Sequence, residues 1–389
     1  MQQTHLLKRG LDMIYLAACA VHDHLPDQER LQSMELEHIY PLACLHSIQS
    51  VVYMAIEKSV EAYGNDVVDA ELLVRWRRSY GNELKKLLSF EVERERLTTF
   101  LEQQGAWYSC LKGIVLQDYY PRLGMRQMSD NDILIDPSFA PRVNKFLKDA
   151  GYPIKAYGVS KHDVYAKGNI YFEVHRGLVS DSSRQIAAAE YYRCLDDRLH
   201  AVGQSCECRL TPEDFYVYFM SHAQKHFSGN GYGVRFFIDT YVYTSATEAT
   251  LDASYVAREL DVLSLTDFER QMRSLAHKLF STPGSQPVLD EQEQEVLLYC
   301  LSSGTFGTYR TYVSNSLHRM SSTEHISLRV RLKHLWRRVF PPYKYYKTCC
   351  PKLARWLLPI PVLWGMRLIR GLSRPRRVLK ELHYIRKTK

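Results

Sequence analysis

Ser129-Asp130-Asn131-Asp132-Ile133-Leu134-Ile135 sets two acids two positions apart at the head of an apolar run. Ile133 to Ile135, bounded by Asp132 and Asp136, is a short apolar run that reads as a strand. In a strand, residues i and i+2 share a face. Asp130 and Asp132 are therefore expected side by side, with Cα atoms roughly 6.5–7 Å apart, while Asn131 and Ile133 face the other way. Two carboxylates so placed repel each other unless a cation lies between them. Hard divalent cations such as Mg²⁺ or Mn²⁺ suit such oxygen ligands. A third carboxylate on a neighbouring strand would complete the cation site. Glu173, inside the strand-like stretch from Asn169 to His175 (NIYFEVH), is the candidate.

Working outward, Trp107 to Leu111 reads as a strand and Lys112-Gly113 as a turn into a short helix over Ile114 to Tyr120, closed by Pro121 and Gly124. A glycine at that turn would let a phosphate approach the backbone, and the following helix start offers free N–H groups. Lys112 could neutralise phosphate charge, and Arg126 could do so bidentately. Pro141 to Ala150 reads as a helix with Gly151 at its C-terminal end. Short helices and strands mixed in this way indicate an α+β core over 101–205: a small mixed sheet with helices. Residues 1–100 read as a helical region, with Pro26 and Pro41 near helix boundaries. Residues 206–320 read as a helical domain closing a cleft, opened by Thr211-Pro212-Glu213-Asp214, a good helix start. Residues 321–389 form a basic C-terminal segment.

D-x-D alone is a common pair. The ordered set of strand, Lys-Gly turn, helix, Arg, D-x-D strand, helix and Glu strand is far more specific. Over 107–178 it resembles the nucleotidyltransferase superfamily of the DNA polymerase β type, and most of all its branch of uncharacterised bacterial nucleotidyltransferases. The matching residues are Leu111-Lys112-Gly113, Tyr120-Pro121, Arg126, Asp130/Asp132, Gly151-Tyr152 and Glu173-Val174-His175. The likeness continues through Thr211-Pro212-Glu213-Asp214, Ser221 to His226 and Arg235 to Asp239. It implies Mg²⁺- or Mn²⁺-dependent transfer of a nucleoside monophosphate from an NTP to an acceptor hydroxyl or phosphate. Asp130, Asp132 and Glu173 would be the catalytic and metal-holding residues. Lys112, Gly113, Arg126 and Ser129 would bind the nucleotide's phosphates. One position departs from the pattern: Ile114 follows Gly113 where most members carry Gly or Ser. The acceptor is open: a sugar phosphate, an antibiotic-like molecule, a tRNA end or a protein hydroxyl. Two other readings stay in play, a catalytically inactive binding protein of the same fold and a membrane-surface protein of polysaccharide assembly.

His175, His222, Lys225, His226, Arg235 and Asp239 are candidates for a substrate cleft. His222 and His226 stand i, i+4 on one helix, a spacing that can bind zinc, although no third soft ligand has suitable spacing. Arg235 and Asp239, also i, i+4, could instead form a helix ion pair.

Charge is unevenly placed. From Arg329 to Lys389 there are 18 Lys+Arg and one acid, Glu381, a net +17. The whole chain carries +8, so the preceding 328 residues carry −9. The basic segment could lie on an anionic membrane surface, hold a polyanion such as RNA, or pack on the acidic body. Nine cysteines without a C-x-x-C pair suggest reduced thiols. Asp12 interrupts the apolar stretch near the N-terminus, which fits a folded amphipathic helix better than a signal sequence. No run approaches the roughly 20 apolar residues of a membrane span. These features suggest a cytoplasmic protein, with a peripheral place at the inner membrane face left open.

Overall fold

The computed structural model describes residues 2–158, 161–179, 186–192, 198–321, 325–343, 345–346, 360–373 and 375–388. Helices come first: α1 (Gln2–Val21), α2 (Gln28–Gln32), α3 (Leu36–Leu45), α4 (Gln49–Tyr63) and the 34-residue α5 (Ala70–Gln103). Asp27 and Asp69 start α2 and α5 by accepting from the N–H groups of Arg30 and Leu72. Pro41, expected near a boundary, instead lies inside α3. Its ring is exposed, so the carbonyl that loses a partner can turn to water.

The α+β centre follows. It comprises β1 (Tyr108–Cys110), α6 (Gly113–Leu116), β2 (Asn131–Ile135), α7 (Ala140–Asp149), β3 (Ile154–Ala156), β4 (His162–Lys167) and β5 (Ile170–His175). The sheet order is β1-β2-β5-β4-β3. β2 and β5 run parallel, whereas β1–β2, β4–β5 and β3–β4 are antiparallel. The β4–β5 hairpin turns at Gly168, with φ of 59°, a conformation glycine adopts without a side-chain clash. Ile133, Ile135, Phe172 and Val174 point to one face and are buried with Leu97 and Leu101 of α5 and Val143 and Leu147 of α7. Asp132, Glu173 and His175 consequently project from the other face. Asn131 follows the apolar side, donating from Nδ2 to Phe90 O at 3.0 Å.

After α8 (Ile186–Tyr191) and a short pair β6 (His200–Ala201) and β7 (Cys208–Arg209), the chain is helical again. α9 (Pro212–Ser228) starts where Thr211 Oγ1 accepts from Asp214 N at 3.1 Å. α10 (Arg235–Thr247), α11 (Ala253–Val262), α12 (Thr266–Phe280), α13 (Glu291–Ser303) and α14 (Tyr309–His318) follow. Leu16 and Leu31 share one hydrophobic cluster with Phe219, Phe237, Leu275 and Leu301. The helices before the sheet and those after it thus bury a common core, and α5 reaches from that core to the sheet. The C-terminal helices are α15 (Leu328–Val339), α16 (Ile360–Leu372) and α17 (Pro375–Lys387). Among the described residues, no helix is long and apolar enough to cross a membrane. Cys19, Cys44, Cys110, Cys206, Cys208 and Cys300 are free thiols.

Candidate active site

The parallel register of β2 and β5 sets Asp132 directly beside Glu173. His175, two residues further along β5, shares their face. Oxygen and nitrogen atoms of Asp132, Glu173 and His175 lie within 4.8 Å of one another. Lys112 reaches over this group from the turn after β1. Its Nζ is 2.5 Å from Asp132 Oδ1 and 3.6 Å from Glu173 Oε2. His175 Nε2 is 2.8 Å from the same Asp132 oxygen and 3.7 Å from Glu173 Oε2. An ammonium therefore sits against two carboxylates, where a cation is favoured.

Electrostatics sort these groups by role. Burial alone would raise the Asp132 pKa, but the Lys112 charge and the His175 hydrogen bond outweigh it and hold the carboxyl well below its usual range. Asp130, at the mouth of β2, is pushed up to about 7, first by burial and then by the charge of Asp132. Glu173 is raised for the same two reasons. His175 is pushed down to about 4 by burial and then by Lys112, so its ring is neutral and donates Nε2–H to Asp132. Burial opposes the charge on Lys112, but the carboxylates of Asp132 and Glu173 keep it an ammonium.

Lys112 pays for its reach in backbone strain, with φ 49° and ψ −114°. That region disfavours side chains by about 1–3 kcal/mol and recurs at functional sites. Gly113 next to it has a structural duty: a Cβ there would lie 2.6 Å from Arg126 Nη1. Ile114, the departure from the family pattern, is buried in the sheet's apolar cluster.

Arg126 lines the cleft, but its fork is occupied. Nε and Nη2 donate to the two oxygens of Asp239 at 2.7 and 3.0 Å, and Tyr120 donates to Asp239 Oδ1 at 2.8 Å. The local Arg235–Asp239 pair anticipated from spacing gives way to this long-range one, because Asp239 points inward, 2% exposed, toward a buried guanidinium. Arg235 instead donates through Nη1 to Gln127 O at 2.9 Å.

A cleft of about 340 Å³ gathers these groups, within the usual range for small-molecule sites. Lys112, Gly113, Arg126, Ser129, Asp130, Asp132, Glu173 and His175 line one side, and His222, Lys225, His226 and Arg235 line the other. Asp239 stands behind Arg126 rather than on the wall. His222 and His226 face each other with Nε2 atoms 3.1 Å apart, so one ring donates to the other. Burial and then Lys112 hold His222 neutral, and burial and then Lys225 hold His226 down to about 4. The metal-ligand group found among the described residues is the Asp132 cluster and does not include this pair.

The cleft also holds residues the sequence reading passed over: His162 on β4, Tyr218 on α9, Tyr232, and Thr305 and Phe306 after α13. Tyr218, His222 and His226 recur every four residues, a stripe that was legible as helix period. The His162 ring lies 5.1 Å from that of His175, tilted by 40°. Its strand could have been found from the Lys167-Gly168-Asn169 turn ahead of β5. Two larger cavities, of about 580 and 570 Å³, lie elsewhere. The first is lined by Arg198, Asp214 and Tyr255, which are bonded to one another.

The family described as uncharacterised nucleotidyltransferase matches residues 32–281, more than half of the chain. The matched span runs from the end of α2 through α12 and includes every strand of the sheet and both walls of the cleft, apart from Thr305 and Phe306. No curated protein and no solved structure matches the chain.

Proposed function

The chain belongs to the uncharacterised nucleotidyltransferase family, and on that footing we propose that it moves a nucleoside monophosphate from an NTP to an acceptor hydroxyl or phosphate, in the manner of the DNA polymerase β type, with Mg²⁺ or Mn²⁺. The observation that carries this reading is the registered Asp132–Glu173 pair with a cation already drawn against it. The donor set fits a hard divalent ion: two carboxylates converge with His175, and Asp130 is close enough to feel the charge of Asp132.

In this reading Asp130, Asp132 and Glu173 hold the ion. When bound, it neutralises phosphate charge and polarises the reacting phosphorus. His175 keeps the Asp132 carboxylate oriented. Lys112, Lys225 and Arg235 supply positive charge from both sides of the cleft, and Ser129 sits at the phosphate end. Arg126 acts through its fixed position beside Gly113. The acceptor oxygen attacks the α-phosphorus, the α–β anhydride bond breaks, and pyrophosphate leaves. Glu173, whose pKa burial and the Asp132 charge raise, would take the acceptor's proton. The reaction relies on positioning and charge neutralisation. Residues 101–205 would serve as the catalytic core and 206–320 as the cleft-closing wall.

The test is incubation with α-labelled NTPs, a cell lysate and Mg²⁺ or Mn²⁺, followed by location of the label. Asp130→Ala combined with Asp132→Ala should abolish labelling; unchanged labelling would sink the proposal. A second reading, a binding protein that has kept the fold without turnover, is favoured by one observation: Lys112 itself occupies the cation position. It predicts no gain in NTP binding when millimolar divalent cation is added.

A further inference from the structure

Among the described residues, half of the exposed large apolar side chains fall between Leu328 and Leu382, on α15, α16 and α17. On α15 they form one stripe: Leu328, Leu332 and Trp336 are 71%, 58% and 62% exposed at four-residue spacing. One position on, about 100° around the helix, Arg329, Lys333 and Arg337 form a second exposed stripe. The opposite side of α15 is turned inward: Val330 and Leu335 pack against Val313, Leu317 and Ile385, which anchors the helix to α14 and α17. On α17, Val378, Leu379 and Leu382 are exposed, with Arg376, Lys380 and Lys387 exposed around them.

The segment's single acid is withdrawn from this surface. Glu381 is 8% exposed, pairs with Arg338 at 2.9 Å and lies 3.6 Å from His334. Among the described residues, what the segment shows to solvent is mainly apolar and cationic, and its one acidic side chain is turned away.

We propose that these C-terminal helices dock the protein on an anionic lipid bilayer, lying in its interface. Aliphatic side chains beside a row of Lys and Arg are the pattern that buries at the headgroup–acyl boundary while its cations meet anionic headgroups. Among the described residues no helix is long and apolar enough to cross a membrane, and the contact proposed is a peripheral one. A nucleic acid fits less well, since stacking on bases needs aromatic rings, and Trp336 is the one large aromatic exposed at this surface among the described residues. The proposal stands on the tail alone and is independent of what the cleft does.

Full-length protein is sedimented with vesicles of phosphatidylcholine alone and of phosphatidylcholine with 30% phosphatidylglycerol. Binding is expected to the anionic vesicles, to fall with rising salt, and to be at least tenfold weaker on the neutral ones. Replacing Arg329, Lys333 and Arg337 by Gln should weaken partitioning on the order of 100-fold. Replacing Leu328, Leu332 and Trp336 by Ser should weaken it at least tenfold. Both triple variants change exposed side chains, and thermal unfolding checks that they fold. Asp132→Asn should bind vesicles unchanged. The proposal is overturned by no binding to either vesicle, by equal binding to both, or by unaltered binding of either triple variant. It is also overturned if single-stranded RNA binds while vesicles do not, or if the apolar variant's effect is loss of self-association rather than of vesicle binding.

Discussion

Replacing Lys112 by methionine removes the ammonium from Asp132 and Glu173 while keeping most of the side chain's volume. The charge stands 2.5 and 3.6 Å from the two carboxylates, and Asp132 is 2% exposed. Unit charges 4 Å apart attract by about 4 kcal/mol at an effective dielectric of about 20, and losing the ammonium's own desolvation cost returns part of that. Breaking one side of such a pair costs about 3–5 kcal/mol. Methionine inherits the strained backbone at φ 49°, so no relief offsets the loss; Lys112→Gly would recover about 1–3 kcal/mol of it. With an unfolding entropy of about 2.1 cal/mol/K per residue over 389 residues, the melting temperature of Lys112→Met should fall by about 4–6 °C in chelator. Saturating Mn²⁺ should then stabilise the variant more than the parent, because the carboxylates regain a counter-charge. Thermal unfolding with EDTA and with Mn²⁺ reads both effects. A variant as stable as the parent in EDTA, or one that gains no more from Mn²⁺, would refute the view that Lys112 holds a cation position.

Other substitutions probe the frame around the cleft. Asp239→Ala leaves the Arg126 guanidinium buried without its partner and should cost about 3–5 kcal/mol in urea unfolding; adding Arg126→Met should restore most of that. His46 is fully buried, accepting from Val234 N at 3.1 Å and donating to Leu301 O at 3.2 Å. Burial holds its pKa down from 6.5 to about 4. The folded state thus binds fewer protons than the unfolded state in that window, and stability present above pH 6.5 drains away as pH falls toward 4. The full loss is about 3 kcal/mol, and His46→Gln should flatten it in unfolding measured across pH 7 to 4.5. A Cβ on Gly233 would lie 2.7 Å from Gly304 C and Thr305 N. Gly233→Ala should therefore cost about 1–3 kcal/mol and raise the KM for NTP by moving the rim residues Thr305 and Phe306.

Features that live on one strand or one turn were readable before the fold was known. The side-by-side carboxylates, the Glu173 strand and the capped start of α9 follow from periods of two and from local hydrogen bonding. That Glu173 stands on a strand neighbouring the acid pair was expected; the parallel pairing that brings it level with Asp132 is a property of the sheet, not of either segment. What escaped were partners far apart in the chain. Asp239 was matched with Arg235 because i, i+4 is visible in sequence, whereas Arg126 lies 113 residues away. That the space on the Cβ side of Gly113 is filled by Arg126 was likewise not visible in the sequence. β3 is short and β4 is half-polar, so His162 was missed with them. In the tail, composition announced the charge; only packing revealed that Glu381 turns inward while the apolar stripes turn out. Cys349, Cys350 and Trp356 lie outside the described residues.

The central claim concerns which phosphorus is attacked, and a paired-label experiment addresses it most directly. The protein is incubated with its acceptor source, Mn²⁺, and NTP labelled either at the α or at the γ phosphate, beside the Asp132→Asn variant. Nucleotidyl transfer predicts α label on the acceptor, γ label released as pyrophosphate, and neither from Asp132→Asn. Label from the γ position on the acceptor, or α label still transferred by Asp132→Asn, would contradict the account.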